Sequence, residues 1–290
     1  MVIGEDCSTD NTRAIALTYQ EKFPGRVKVL AHTSNLGVMP NLMAVLAMCD
    51  GDYICILDGD DYWTDDSKVQ KQVDFLERNP GFAICAHNLA IVRFDGRALN
   101  EMVRLEREEK EYIINDLAAA NMLATASCMY RNNFNAGPAP TGFPEWMLKV
   151  KIGDYCLHML AARHGKIKYF PAAMGAYRLH NGGTWTGENN FNKMAMFFNT
   201  IHYLRKEFQG EISLLLMEQE IKYVRELAAF APQKFKQFLL DYREQIADLL
   251  SAEYPYAICS LAHHSSIPQA TPPNILNKLA NRIRRMWATR

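Results

Sequence analysis

The sequence contains no apolar run near the ~18 residues that a membrane span needs, and no charged-then-apolar-then-small opening of a secretory signal. Net charge is missing as well. Lys+Arg and Asp+Glu both total 32, so no basic excess marks nucleic acid as a partner. Paired cysteines are lacking: Cys7, Cys49, Cys55, Cys85, Cys128, Cys156 and Cys259 are odd in number, scattered, and form no C-x-x-C. That pattern disfavours a zinc or disulfide framework and predicts reduced, mostly buried thiols in a cytosolic protein. Internal repeats are absent too. What is present is a globular mix of 290 residues, 49% hydrophobic and 22% charged, which excludes a largely disordered or collagen-like chain.

The first half alternates short apolar runs with amphipathic stretches. Val2–Ile3 reads as the tail of a strand and Asp10 to Phe23 as a helix capped by Ser8 or Asp10. Val27–Ala31 reads as a strand and Asn41–Cys49 as a helix. Tyr53–Leu57 is a continuous apolar run, as expected of a strand covered on both faces. Lys68–Arg78 is a third helix, and Phe82–Cys85 opens another strand. This alternation predicts an α/β fold with a mostly parallel sheet flanked by helices. Further on, Ala90–Phe94 and Arg97–Leu99 read as a hairpin about Asp95-Gly96, and Leu105 to Glu111 as a solvated loop or helix. Ser127–Arg131, Tyr169–Phe170 and Met174–Arg178 read as short strands, and Tyr155–Arg163 as a helix. From Phe191 to Leu250 the period is helical, broken near Gly210 and Pro232.

Two acidic loops carry the chemistry. Ile56-Leu57-Asp58-Gly59-Asp60-Asp61-Tyr62-Trp63 sets three carboxylates at the C-terminal end of an apolar strand, the edge where open α/β sheets bind ligands. A D-x-D spacing suits a hard divalent cation that shares its oxygen ligands with substrate phosphates. Asp50-Gly51-Asp52 has the same letters but precedes the strand, so it is assigned to a turn. The second loop, Gly4-Glu5-Asp6-Cys7-Ser8-Thr9-Asp10-Asn11-Thr12, lies at another strand-to-helix junction. Capping explains Ser8 and Asp10 but does not require Glu5 and Asp6 together before the cap.

In their order and separation these loops resemble the nucleotide-sugar-binding half of family 2 glycosyltransferases with the GT-A fold. His32-x-x-Asn35-x-Gly37-x-x-x-Asn41 resembles a further donor-side loop of that family. Pro144-Glu145-Trp146 to Gly153-Asp154-Tyr155, then Tyr177-Arg178-x-His180-x-Gly182-Gly183-x-Trp185, resemble the acceptor half of bacterial polysaccharide and lipopolysaccharide members. The resemblance covers residues 2–187. It departs from the family at Glu5, where Asp is usual, and in lacking the strand and helix that would precede Val2; these are expected to lie upstream of Met1.

The resemblance implies inverting, metal-assisted transfer of a sugar from a nucleoside-diphosphate (NDP) sugar to a hydroxyl of a glycan or lipid-linked acceptor. It gives the nucleoside to Asp6 with Glu5, and sets Asp58 near the ribose or metal. Asp60 becomes the main protein ligand to Mn²⁺ or Mg²⁺, and His180 a further metal ligand. Asp154 becomes the catalytic base that deprotonates the acceptor. Arg178 either pairs with phosphate or salt-bridges near Asp154. Asp61 either joins the acidic site or caps the following segment. Tyr62 and Trp63 either line the sugar pocket or pack in the core, and Gly182-Gly183-Thr184-Trp185 reads as a lid or an exposed turn. A sugar-nucleotide pyrophosphorylase is disfavoured because no Gly-rich N-terminal phosphate loop with Arg and Lys is present. The remaining alternative is a non-catalytic nucleotide-sugar-binding or interaction protein, left by loss of the N-terminal strand.

The expected organisation is a GT-A domain over 1–187, a C-terminal α-helical extension over 188–265, and a Pro-containing linker with a basic amphipathic helix over 266–290. Residues 274–290 hold Lys278, Arg282, Arg284, Arg285 and Arg290 with no acidic residue. Ile275, Leu279, Ile283, Met286 and Trp287 recur at helical spacing, the pattern of a membrane-surface helix. The resulting expectation is a cytoplasmic protein held peripherally on the inner face of a membrane.

Overall fold

The computed structural model describes residues 1–93, 95–134, 142–180 and 187–251. The chain divides into two compact units, Met1–Met196 and Phe197–Arg290. The boundary falls inside a helix, a little beyond the expected limit at residue 187. Residues 274–290, with the expected basic helix, lie outside the described residues.

The first unit opens with β1 (Val2–Glu5), α1 (Thr12–Lys22), β2 (Lys28–Ala31) and α2 (Val38–Ala47). Next come β3 (Tyr53–Cys55), β4 (Tyr62–Trp63), α3 (Lys68–Arg78) and β5 (Phe82–Arg93). The unit continues through β6 (Ala98–Met102), β7 (Lys110–Tyr112), α4 (Ile114–Ala119), β8 (Met129–Arg131), α5 (Gly153–Ala162) and β9 (Lys166–Leu179). β1 and β2 pair in parallel as a separate two-stranded sheet. The main sheet is seven-stranded in the order β3-β8-β5-β9-β4, with β6 added on β5 and β7 on β9. Among the described residues, β1 pairs only with β2 and β3 only with β8.

The α/β class with flanking helices is as expected, but the sheet is mixed rather than mostly parallel. β5 and β9 run parallel, whereas β3–β8, β4–β9, β5–β6, β5–β8 and β7–β9 are antiparallel. The cause is local for β6. It follows β5 through a tight turn whose Gly96 has φ 82°, and a tight turn can only return the chain antiparallel. β9 is one strand where two were expected. Its register against β5 shifts between His87 opposite Phe170 and Asn88 opposite Ala173, a bulge that absorbs Pro171 and its missing N–H.

Leu76 of α3 packs with Cys85 and Met129, all closed to solvent, and Tyr53, Val73, Phe75, Phe82 and Phe170 close around them. Truncating a leucine so placed costs about 2–5 kcal/mol. Arg131 at the end of β8 serves the C-terminus of α3. Its Nη2 donates to the Leu76 carbonyl and its Nε to the Phe82 carbonyl at 2.8 Å, putting a cation where the helix end is negative. The six described cysteines are free thiols; Cys85, Cys128 and Cys156 are buried, while Cys7, Cys49 and Cys55 are only partly so, fewer buried than expected.

In the second unit the helical period is realised as α6 (Asn190–Glu207, which begins in the first unit), α7 (Gly210–Phe230), α8 (Pro232–Asp241) and α9 (Arg243–Leu249). The breaks are the expected ones: Gly210 has φ 61°, and Pro232 takes the first turn of α8. Phe198, Leu204, Leu216, Leu227 and Phe238 form an apolar interior. Within it Glu220 meets His202 Nδ1 at 3.0 Å and the Arg205 guanidinium, which reaches Asp248 at 2.5 Å.

Candidate active site

The acidic segment after β3 closes as a turn, with the Asp61 N–H donating to the Asp58 carbonyl at 3.1 Å. The chain then enters β4, a two-residue strand the sequence pattern did not reveal. Tyr62 pairs with Ala176 and Trp63 with Gly175 of β9. Gly175 permits this approach, because a Cβ there would lie 3.2 Å from the Tyr62 carbonyl oxygen and 2.9 Å from Leu89. β9 therefore carries Tyr177 and Arg178 past the acidic turn, with His180 just beyond its end. The Asp61 carboxylate accepts the Arg178 N–H at 3.0 Å, so Asp61 ties the turn to β9 rather than capping the following segment. His180 Nε2 lies 2.8 Å from Asp60 Oδ2.

Asp58 is solvent-exposed and lies within electrostatic reach of Asp60, Asp61 and Asp154. Its carboxyl is pushed up to about 6, first by burial and then by the negative charges of Asp61, Asp60 and Asp154. Burial and Asp60 likewise raise Asp61, against the Arg178 N–H that lowers it. Burial and the same four carboxylates raise Tyr177. Like charges thus converge on one region, an arrangement that perturbs carboxyl pKa values. Among the described residues, no three His, Cys, Asp or Glu side chains close on a point that could hold a metal by themselves.

Asp154 is in the first turn of α5. Its Oδ1 accepts the N–H of Tyr155 at 2.7 Å and its Oδ2 the hydroxyl of Thr125 at 3.1 Å. The Arg178 guanidinium lies 5.2 Å from the centre of the Tyr62 ring, and its Nε is buried without a hydrogen-bond partner. Trp63 donates its indole N–H to the Ala126 carbonyl at 2.9 Å, and Lys68 Nζ lies 3.9 Å from the centre of its ring. Trp185 lies outside the described residues.

The first acidic loop is built differently from the expectation. The Glu5 side chain is 0% exposed and bound to Arg13, and it accepts the Ser8 N–H at 2.6 Å. The Ser8 amide, foremost, holds its carboxyl at about 2, Arg13 adding to the effect against burial. Glu5 therefore shapes the loop from beneath and does not face a ligand. Asp6 is half-buried, and its two oxygens accept the N–H groups of Leu36 and Gly37 at 2.7 and 2.8 Å, in front of α2. The His32–Asn41 motif supports this loop. Asn35 donates to the Asp6 carbonyl at 3.0 Å, Asn41 to the Gly4 carbonyl at 3.3 Å, and His32 meets Asn41 at 3.1 Å. Gly4 is required, since a Cβ would fall 2.4 Å from Asn41 Oδ1 and from Val45. Ser8 does not cap α1; Asp10 accepts the first helical N–H, that of Thr12, at 2.9 Å.

Asp58, Asp60, Asp61, Asp154, Arg178 and His180 are thus brought to one region, with Tyr62 beneath Arg178. Two participants were missed. Thr125 has no motif around it, and Tyr177 was visible only as a letter of a motif. Its place near the end of β9, three residues before His180, was the available signal.

The acidic groups gather beyond strand ends, the edge at which open α/β sheets bind ligands. Residues 1–134 match the family model described as Glycosyl transferase family 2, and this part of the chain is a domain of that family. An uncharacterized protein of Mycobacterium tuberculosis is 32% identical over 185 residues, covering 64% of this chain and 51% of that protein. TuaG of Bacillus subtilis, described as a candidate teichuronic acid biosynthesis glycosyltransferase, is 36% identical over 104 residues, covering 36% of this chain and 40% of TuaG. The crystal structure of S. aureus TarS 1-349 matches with a TM-score of 0.54 at 16% identity, covering 88% of this chain and 70% of that chain. That likeness concerns the fold, which is of the GT-A type. The chain spans about half the length of the mycobacterial relative.

Proposed function

We propose that this chain transfers a sugar from an NDP-sugar to a hydroxyl of a glycan or lipid-linked acceptor, with inversion, in the synthesis of a cell-surface polysaccharide. The observation that carries the reading is the convergence of Asp58, Asp60, Asp61 and Asp154 on one region, with His180 bonded to Asp60. The family 2 domain and the teichuronic acid role given to TuaG support the chemistry and its setting.

A divalent cation, Mn²⁺ or Mg²⁺, fits the donor set. Asp60 and His180 offer a carboxylate oxygen and an imidazole nitrogen side by side, and the surrounding carboxylates hold negative charge in excess. Donor oxygens complete such a shell in phosphate-handling sites. When bound, the cation would neutralise the departing diphosphate. Arg178 presents its planar fork to the same diphosphate from its seat on Tyr62. Asp6 and Asp58 take the nucleoside and ribose side, with Glu5 fixing the loop below Asp6. Asp154 accepts the proton of the acceptor hydroxyl as that oxygen attacks the anomeric carbon from the face opposite the diphosphate. The transition state has oxocarbenium character. Trp63 and Trp185 belong to the acceptor side, Trp63 as a support. Residues 274–290 hold the protein to the cytoplasmic face of a membrane near its acceptor. Among the described residues, no helix is long and apolar enough to cross one.

The test is diphosphate release from a panel of UDP-, GDP- and dTDP-sugars, with Mn²⁺ and with EDTA. Release from one donor, suppressed by EDTA, supports the reading. Donor binding without release from any of them would turn it to a nucleotide-sugar-binding protein.

A further inference from the structure

Asp154 is held from two sides. Its Oδ1 is engaged by the N–H of Tyr155, and Thr125 donates its hydroxyl to Oδ2 at 3.1 Å, from 29 residues away in sequence. An ionised carboxylate has no hydrogen to give, so in that state the hydroxyl is the donor. One bond from its own backbone leaves a carboxylate free to swing about its side-chain torsions. A second bond from a different element removes that freedom and leaves the outer lone pair of Oδ2 pointing in a fixed direction.

The second bond is useful only if Thr125 is itself fixed, and the structure shows why it is. Thr125 begins a 3-10 turn, Thr125–Ser127, whose next two residues are each 1% exposed. Each of their carbonyls is held by a side chain. The Ala126 carbonyl accepts the Trp63 indole N–H at 2.9 Å, and the Ser127 carbonyl accepts Gln72 Nε2 at 2.9 Å. Gln72, fully buried, bonds the Cys85 carbonyl at 2.9 Å with the same nitrogen, and the Ser127 hydroxyl closes the turn on the Ala124 carbonyl at 2.7 Å. On the other side, Tyr155 is 1% exposed and its hydroxyl is bonded to the Leu117 carbonyl at 2.7 Å, which anchors the start of α5. The Thr125–Asp154 bond therefore joins two immobilised bodies.

We propose that Thr125 is a positioning residue for glycosyl transfer, holding the Asp154 carboxylate in the orientation from which it accepts the acceptor proton, and that Trp63 serves the reaction by fixing the turn that carries Thr125. This rests on the reading of Asp154 as the base. Thr125 does not touch substrate; it acts through Asp154, so its removal lowers turnover and leaves donor affinity alone.

The experiment compares Thr125→Val, which keeps the shape and deletes the hydroxyl, with Thr125→Ser, which keeps the hydroxyl. It uses whichever of the UDP-, GDP- or dTDP-sugars the wild-type protein turns over, with Mn²⁺, and adds Asp154→Asn and the double variant. Thr125→Val is expected to lower kcat by roughly tenfold to a hundredfold, the factor carried by one hydrogen bond to a charged group. Donor KM and the melting temperature should stay close to wild type, and Thr125→Ser should recover most of the loss. In Asp154→Asn, adding Thr125→Val should cost nothing further, because the two act as one unit. Wild-type kcat in Thr125→Val, or a Ser variant as impaired as the Val variant, overturns the proposal. So does a Thr125→Val loss that persists in full on top of Asp154→Asn. Wild-type turnover in Asp154→Asn would instead overturn the role of Asp154, and is read separately from the Thr125 arms.

Discussion

His180 Nε2 and Asp60 Oδ2 stand 2.8 Å apart although 120 residues separate them in the chain. β4 is what brings them together. Its two residues pair with Gly175 and Ala176 of β9, which sets the acidic turn against the end of the strand that His180 follows. The relationship predicts a shared role. Asp60→Ala should abolish Mn²⁺-dependent donor binding and lower transfer by roughly 10²-fold or more, since a metal supplies several kcal/mol of charge stabilisation. His180→Ala should show a smaller loss of the same kind, seen as a higher Mn²⁺ concentration at half-maximal rate. Unchanged turnover in Asp60→Ala, or indifference of the native protein to EDTA, would sink the metal reading.

Asp154→Asn keeps the shape of the side chain and an oxygen for the Tyr155 N–H, but removes the proton acceptor. Transfer should fall by roughly 10²–10⁴, the usual share of a general base, while donor affinity holds. Steady-state kinetics with a separate nucleotide-binding titration check this. An equal fall in binding and turnover would place Asp154 on the donor side.

Cys7 is the one described non-glycine residue with positive φ, at 62°, directly after Asp6. A left-handed L-residue costs roughly 1–2 kcal/mol, and such strain gathers at functional loops. Cys7→Gly should hold or raise the melting temperature. Cys7→Val, branched at Cβ, should lower it and weaken donor binding by displacing Asp6. A Val variant as stable as wild type would show that the loop relaxes freely.

His87 in β5 is 2% exposed, and burial depresses its pKa from 6.5 to about 4, against the Asn88 carbonyl that opposes the shift. Below pH 6.5 the unfolded chain takes up a proton that the folded protein refuses until about pH 4. The stability present above 6.5 is therefore lost progressively across that window, by about 3 kcal/mol in all. His87→Asn should flatten this part of the melting-temperature profile, while His158, also lowered by burial, keeps its share. Parallel profiles for the two proteins would refute the assignment.

The sequence of 274–290 predicts binding to anionic vesicles that weakens with salt. Changing Lys278, Arg282, Arg284 and Arg285 to Gln should abolish cosedimentation with phosphatidylglycerol vesicles and leave transfer to a soluble acceptor unchanged. Retained binding would remove this segment from membrane contact.

The sequence alone determined the features that depend on short-range chemistry. Apolar runs and helical periods located the β1–α3 alternation, and the breaks at Gly210 and Pro232 followed from one positive φ and one fixed φ. The acidic letters Asp58, Asp60 and Asp154 declared themselves because carboxylates beyond a strand end or at a helix start have a chemical reason to be there. Tertiary structure decided the rest. β4 has two residues and no pattern of its own, and it exists because β9 offers an edge to Tyr62 and Trp63. Strand direction in the main sheet depended on which edges were open, which no local period encodes. Glu5 and Asp6 look alike in sequence, yet Glu5 is sealed by Arg13 while Asp6 faces the amides before α2, a difference set by how β1, α1 and α2 pack. Thr125 was invisible for the same reason: a hydroxyl gains its meaning from the carboxylate across from it, and only the folded chain brings the two within 3.1 Å.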